Sequence, residues 1–530
     1  MQVCRLIRPI LRNLPILLMF AICPLASSVL AQDVLTYHNN NFRNGLNSNE
    51  TILTLANVSS ANFGKLFTLP TDGRVDAQPL YVSAVTVSGA AHNLLIVATE
   101  HGSVYAFDAD TGTKIWHMTT LKSGETPSDP RGCSQVTPEI GITATPVILR
   151  PTGAHPVIYV VAMSRDASGR YHQRLHALDA TNGSELYHGP VDIQAKYRGN
   201  GDNSSNGYVI FGPGQYKERA GLLVIGSTVY LAWASHCDIR PYTGWIMGYN
   251  VNTLTQTTVF NVTPNGSEGA IWSSGAGMAA DPSGNIFLLD GNGSFDPTLN
   301  SSGFPANGNY GNAFLKLSTT NGLAVADYFE MSNQAQENAS DADLGSGGAI
   351  LVGQRDATGK LWALAIGAGK DSNLYIVDRT NMGKFHPAAN KIYQELNGVL
   401  PGGIWSMPAA FANRIYYGPV GSPLLVFQFN NAKLSTNPLR TTNAFGYPGT
   451  TPSISSNGNL NGIVWAAENS SPAVLHAYNA ITLLEIYHSN QAAGGRDHFG
   501  NGNKFITPTI AHGKVYVGTT NGVGVFGLLK

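Results

Sequence analysis

Charge is scarce in this chain: Lys, Arg, Asp and Glu together make up 12% of its 530 residues, against about 25% in an ordinary globular protein. With a formal net charge of −1 there is no basic stripe for phosphates, which excludes nucleic acid as a partner. The strong helix formers Glu, Lys and Arg are few, and no sustained 3.6-residue amphipathic pattern runs through the chain after its first thirty residues. No later segment reaches the roughly 20 continuous apolar residues that a transmembrane helix requires. Cysteine is rare as well, at four residues. What the chain has instead is 59 Gly amid many Asn, Ser and Thr, the profile of turn-rich β architecture.

The N-terminus reads as a secretory signal over residues 1–31. Arg5, Arg8 and Arg12 form a basic region, Leu14 to Ala26 an apolar stretch, and Val29-Leu30-Ala31 a small-residue cleavage site. Ile22 before Cys23 argues against lipid attachment there, because a small residue is needed at that place. A mature chain beginning near Gln32 retains Cys133 and Cys237. In an oxidising compartment these are one disulfide or two separate buried thiols, and sequence alone does not decide between them. The expected location is secreted or periplasmic.

One kind of segment recurs along the chain: an apolar strand, a Gly-containing turn, and a second strand ending at an acidic or amide residue. The clearest copy runs from Leu94 to Asp108, and Lys514 to Gly522 repeats its first half. Equivalent strand centres fall at Ile96, Tyr159, Tyr230, Phe287, Ile366, Tyr416, Val464 and Tyr516, at intervals of 48 to 79 residues. The longer intervals should carry inserted loops. A proline-marked segment precedes several centres, as in Gln78-Pro79-Leu80-Tyr81, Thr145-Pro146-Val147-Ile148, Met407-Pro408, Thr451-Pro452-Ser453 and Thr507-Pro508-Thr509. Proline suits the start of a strand, where no ladder donor is needed. Eight such units predict an all-β fold: an eight-bladed β-propeller of four-stranded antiparallel blades, forming one domain over residues 32–530. The last unit has room for only three strands. An N-terminal strand at Lys65-Leu66-Phe67-Thr68-Leu69 is expected to supply the fourth and close the ring.

The turn Ala106-Phe107-Asp108-Ala109-Asp110-Thr111-Gly112-Thr113-Lys114-Ile115-Trp116 resembles the AxDxxTGxxxW docking motif of quinoprotein alcohol dehydrogenase-like, or PQQ-like, propellers. A weaker copy runs from Ala177 through Asp179 and Gly183 to Tyr187, and a third from Ala477 through Asn479 to Tyr487. The resemblance implies a structural role, with the aromatic ring packed between blades. The stretches His38–Arg43, Pro138–Thr143, Trp233–Asp238 and Asp341–Gly348 are similar to those of uncharacterised secreted PQQ-like proteins.

In such a propeller the channel mouth is lined by loops leading into the inner strands and by turns between the second and third. That geometry selects Arg74, Asp76, Glu139, Trp272, Asp341, Asp343, Trp405 and Lys504 from the loops, with His236, Asp238, Asn292 and Lys370 from the turns. The resemblance implies a PQQ- and Ca²⁺-dependent alcohol or sugar dehydrogenase. Glu139 and Asn292 would hold the metal, Asp341 and Lys370 would join them in binding the cofactor, and Asp343 would take the substrate proton. The family's adjacent cysteine pair is absent, and so is a CxxCH haem site, so electrons would leave through an external acceptor. Asp341 and Asp343 have a second reading as ties for the Gly345–Gly348 backbone, and Glu139 as a structural carboxylate. His236 and Cys237 alone do not fill a metal site. The competing function class is a noncatalytic binding or scaffold propeller whose partner is a small polar molecule or an envelope protein.

Overall fold

The computed structural model describes residues 32–530; the expected signal segment lies outside the described residues. Nine β-sheets occur among these residues, eight with four or five strands and one with three. All eight centres read from the sequence lie in the strand that pairs on both sides. In the first sheet the order is Leu80–Val87, Ala90–Ala98, Ser103–Asp108 and Lys114–Thr119, antiparallel throughout. Ile96 pairs with Leu80 on one side and Ala106 on the other. Leu94 to Ala98 are all buried, because both faces of such a strand meet apolar neighbours, which explains the unbroken apolar run. The marking prolines stand one residue before the inner strands Leu80–Val87, Val147–Leu149, Ala409–Phe411, Ser453–Asn457 and Thr509–Ala511.

The last sheet is ordered Phe63–Pro70, Gly522–Leu528, Lys514–Thr519, Thr509–Ala511. Its outer strand therefore comes from the N-terminal side, where Phe67 pairs with Val525 and Leu69 with Val523. The long interval between Tyr159 and Tyr230 carries the three-stranded sheet Lys196–Arg198, Tyr208–Ile210, Ser204–Ser205. The longest, between Phe287 and Ile366, carries the helix Gln334–Ala339. No helix among the described residues is long and apolar enough to cross a membrane.

The docking motif joins consecutive sheets. Asp108 Oδ1 accepts the backbone N–H groups of Asp110 and Thr111 and the Thr111 hydroxyl, which fixes the corner. The Trp116 indole donates to Ala180 O at 2.8 Å in the next sheet. Its ring lies so close to Gly183 that a Cβ there would sit 2.7 Å from it. The glycine of the second motif copy is thus the seat for the tryptophan of the first.

Residues 34–50 form a hub that the sequence pattern did not reveal. Val34 exchanges backbone hydrogen bonds with Tyr81 of the first sheet, and Leu35 O accepts from Ile148 of the second. Arg43 Nη2 donates to Leu222 O and Asn41 Nδ2 to Val224 O beside and within the inner strand of the third. Asn41 O, Phe42 O, Asn44 O and Gly45 O accept from Ala280, Leu351, Ala410 and Ile454 of the fourth to seventh, and Asn47 Nδ2 donates to Ile510 O of the eighth. Arg43 is fully buried and also donates to Met278 O, Thr36 Oγ1 and Tyr37 O. Gly45 has φ +66°, and a Cβ there would fall 2.4 Å from the His38 ring, so only glycine fits.

Candidate functional site

A cavity of about 220 Å³ opens among loops that lead into the inner strands. Its lining includes Arg219, Trp272, Ser346, Trp405 and Phe505, each a few residues ahead of an inner strand that the hub binds. Hub and cavity therefore occupy successive levels of the same set of strands.

Asp341, Asp343 and Lys370 meet on one wall. Lys370 Nζ lies 2.5 Å from Asp343 Oδ2 and 2.9 Å from Asp341 Oδ1. The Asn292 backbone N–H donates to Asp343 Oδ1 at 2.6 Å, and Asn292 Nδ2 donates to Asp341 Oδ1 at 3.2 Å. Asp343 is 3% exposed. Burial pushes its carboxyl up to about 6, against the pull of Lys370 and the Asn292 N–H toward the charged form. Burial of Lys370 opposes its charge, but the two aspartates overcome it and raise its pKa. The Asp side chains do not tie the neighbouring glycine backbone; their partners lie on segments roughly 30 to 50 residues away in sequence. A Cβ on Gly291 would fall 2.6 Å from both Asp343 Oδ1 and Trp272 Nε1, which places the Trp272 indole beside this carboxylate.

The other expected residues divide. Trp405 and Asp238 line the cavity, with Asp238 Oδ1 accepting from Tyr242 Oη at 2.6 Å. Arg74 and Asp76 converge on Asn503 instead. Lys504 Nζ donates to Ser134 O at 3.3 Å. His236 is buried with neither ring nitrogen bonded, and burial pushes its pKa down to about 3. Its neighbour Cys237 lines the cavity and is joined to Cys133 in a disulfide, with Cα atoms 5.4 Å apart. Glu139 stands outside this group: its Oε1 lies 2.9 Å from His101 Nδ1, and it is not part of the cavity lining. A different carboxylate, Glu100, accepts from Gly141 N and Thr143 Oγ1 on the segment that follows Glu139. Burial, reinforced by Asp76, holds Glu100 well above the ordinary carboxylate range.

These positions bear directly on a calcium site. Ca²⁺ takes six to eight oxygen ligands. Asn292 Oδ1 is a buried acceptor without a partner, but the two adjacent aspartates are held by Lys370 and Glu139 is elsewhere. Among the described residues no group of three or more His, Cys, Asp or Glu side chains is placed to hold a metal ion. The residues present do not fit calcium.

Arg219, Tyr447 and Phe505 were not among the residues expected from the loops. Arg219 follows the strand Tyr216–Glu218. The alternation Lys217-Glu218-Arg219, in a chain so poor in charge, was the available signal: Lys217 and Arg219 share one face of an extended segment.

No family model matches the chain, and no curated protein matches it. Solved structures do. Quinohemoprotein alcohol dehydrogenase from Comamonas testosteroni superposes with a TM-score of 0.60 at 15% identity, over 94% of this chain and 80% of that one. Quinohemoprotein alcohol dehydrogenase ADHIIG from Pseudomonas putida HK5 gives 0.60 at 13%, over 94% and 80%. A europium-containing methanol dehydrogenase gives 0.60 at 12%, over 94% and 98%. At these identities the likeness is one of fold: the chain has the PQQ-like propeller fold of the quinoprotein alcohol dehydrogenases.

Proposed function

We propose that residues 32–530 form a secreted or periplasmic eight-bladed propeller that captures a small polar molecule in its axial cavity. The eight larger sheets, and the outer strand Phe63–Pro70 completing the last of them, support the closed eight-bladed ring. The basic and apolar stretches of residues 1–31 and the Cys133–Cys237 disulfide support an oxidising, exported setting. The observation that carries the binding reading is the cavity wall itself. An ion-paired cluster, with Asp343 buried, Lys370 half-buried and Asp341 exposed, stands beside tryptophan rings in a concave space of about 220 Å³, the usual make-up of a small-ligand site.

One observation favours a second reading, a quinone-dependent alcohol or sugar dehydrogenase. Asp343, with its carboxyl near 6, is poised as a proton acceptor at neutral pH, and Lys370 is placed to steady negative charge developing beside it. A bound quinone would supply the two-electron acceptor, Arg219 and the aromatic rings would hold it, and an external protein would take the electrons onward. The chain's own part would be to orient a hydroxyl against Asp343 and hold the released proton there.

Calorimetric titration of the mature protein with PQQ, with and without Ca²⁺, followed by a dye-coupled screen of alcohols and sugars, separates the two. Ligand binding without dye reduction supports the capture protein. Dye reduction that Asp343→Asn abolishes supports the dehydrogenase. Calcium-dependent quinone binding weakened by Glu139→Ala would refute the placement of Glu139 outside the site.

A further inference from the structure

The cavity has a second pole, chemically unlike the Asp343 wall. Arg219 is 4% exposed and lines the cavity. Its guanidinium carbon lies 4.6 Å from the centre of the Phe505 ring, and its Nε has no hydrogen-bond partner. Burial lowers its pKa, with Tyr447, Asp76 and Glu100 acting on it only through longer-range attraction. A second buried donor on the same lining, Trp272 Nε1, is also without a partner. Lys370 contrasts with both, since two carboxylates already neutralise it.

The surroundings add to the positive field. Burial and then the charge of nearby cations, Arg219 among them, lower the pKa of Lys217 and of Lys504, while burial, reinforced by Asp76, raises Glu100 well above the ordinary carboxylate range. Two buried donors lacking acceptors in one cavity are rare in a folded protein and point to a missing acceptor partner. Arginine rather than lysine at such a place suits a planar oxyanion, which its forked N–H groups can grip in two places.

We infer that the cavity's ligand carries a carboxylate, which Arg219 anchors, with hydroxyl groups directed toward Trp272 and the Asp343–Lys370 wall; a hydroxylated acid such as a sugar acid is the class that fits. This inference rests on the reading of the cavity as a ligand site. A carboxylate can come from a sugar acid or from a carboxylated quinone, and the experiment separates them.

The mature protein is titrated calorimetrically with galacturonate and gluconate, with the matched neutral sugars galactose and glucose, and with PQQ. Arg219→Met and Arg219→Lys are run alongside, their folding checked by thermal melting. The expected result is binding of at least one acid about 10- to 100-fold tighter than its neutral counterpart, the worth of a hydrogen-bonded charge. Arg219→Met should erase that preference, and Arg219→Lys should recover only part of it. Arg219-dependent binding of PQQ alone would keep the carboxylate anchor and assign it to the quinone. Equal binding of acids and neutral sugars, or a preference that survives Arg219→Met, would overturn the inference while leaving the cavity a ligand site. Binding of none of the probes by folded protein would overturn both.

Discussion

Replacing both cysteines, Cys133→Ser with Cys237→Ser, tests how the loop at the cavity is held. The two residues are 104 apart in sequence. Freeing a loop of that size returns about 4.7 kcal/mol of chain entropy to the unfolded state, and native disulfides commonly yield about 2–4 kcal/mol. Unfolding entropy near 2.1 cal/mol/K per residue gives about 1 kcal/mol/K for a folded unit of about 500 residues. The expected fall in Tm is therefore only about 2–4 °C, small because the unit is large. Differential scanning calorimetry at fixed scan rate reads it, and a urea midpoint lowered at constant slope should accompany it. Reducing the wild type with dithiothreitol should reproduce the shift. The loop is also held by Arg131 to Gly214 O, Lys504 to Ser134 O and Tyr447 to Gln135. A change under about 1 °C with an unmoved urea midpoint would refute the reasoning and show that these contacts alone fix the loop.

Trp116→Ala should cost about 3–5 kcal/mol, because it empties the seat on Gly183 and orphans Ala180 O; a melting temperature within 1 °C of wild type would contradict that role. Arg43→Met should destabilise by at least about 3 kcal/mol, since it leaves Met278 O, Tyr37 O and Leu222 O without their donor at about 1–3 kcal/mol each; an unchanged urea midpoint would count against the hub. Asp343 makes a pH prediction with a definite sign. Its folded carboxyl is raised from 3.8 to about 6, so as pH rises the unfolded chain gives up this proton first. Stability is lost between about pH 4 and pH 6, by about 3 kcal/mol. Asp343→Asn should flatten the stability profile in that window, and parallel profiles for wild type and variant from pH 3.5 to 7 would refute it.

Much of the fold was legible because a strand buried on both faces must be apolar along its whole length. Ile96, Tyr159 and the six later centres stood out for that reason, and the prolines marked where each unit begins. The outer strand of the last sheet, Phe63–Pro70, was legible from counting, since the last unit lacked one. The hub was not, because its bonds are made largely by backbone groups, Asn side chains and one arginine, none of which carries a period. Asp341, Asp343, Lys370 and Trp405 line one cavity, and position in the loops and turns of the repeat was enough to select them. The same rule selects Glu139, which lies beside His101 and outside that lining, because the rule takes no account of neighbours in space. Arg219 was missed although it stands ahead of the inner strand Leu223–Ile225, because it directly follows the short strand Tyr216–Glu218 and reads as strand rather than loop.

The hub has a bearing on how the molecule is made. Asn47 leaves the ribosome long before its partner Ile510, which lies 463 residues further along the chain. Until the sheet that holds Ile510 is in place, that Asn47 amide lacks its acceptor and the strand Phe63–Pro70 waits as an unpaired edge. The segment from Asn47 to Pro70 thus depends twice on one sheet made far later, once through a side chain and once through a whole strand.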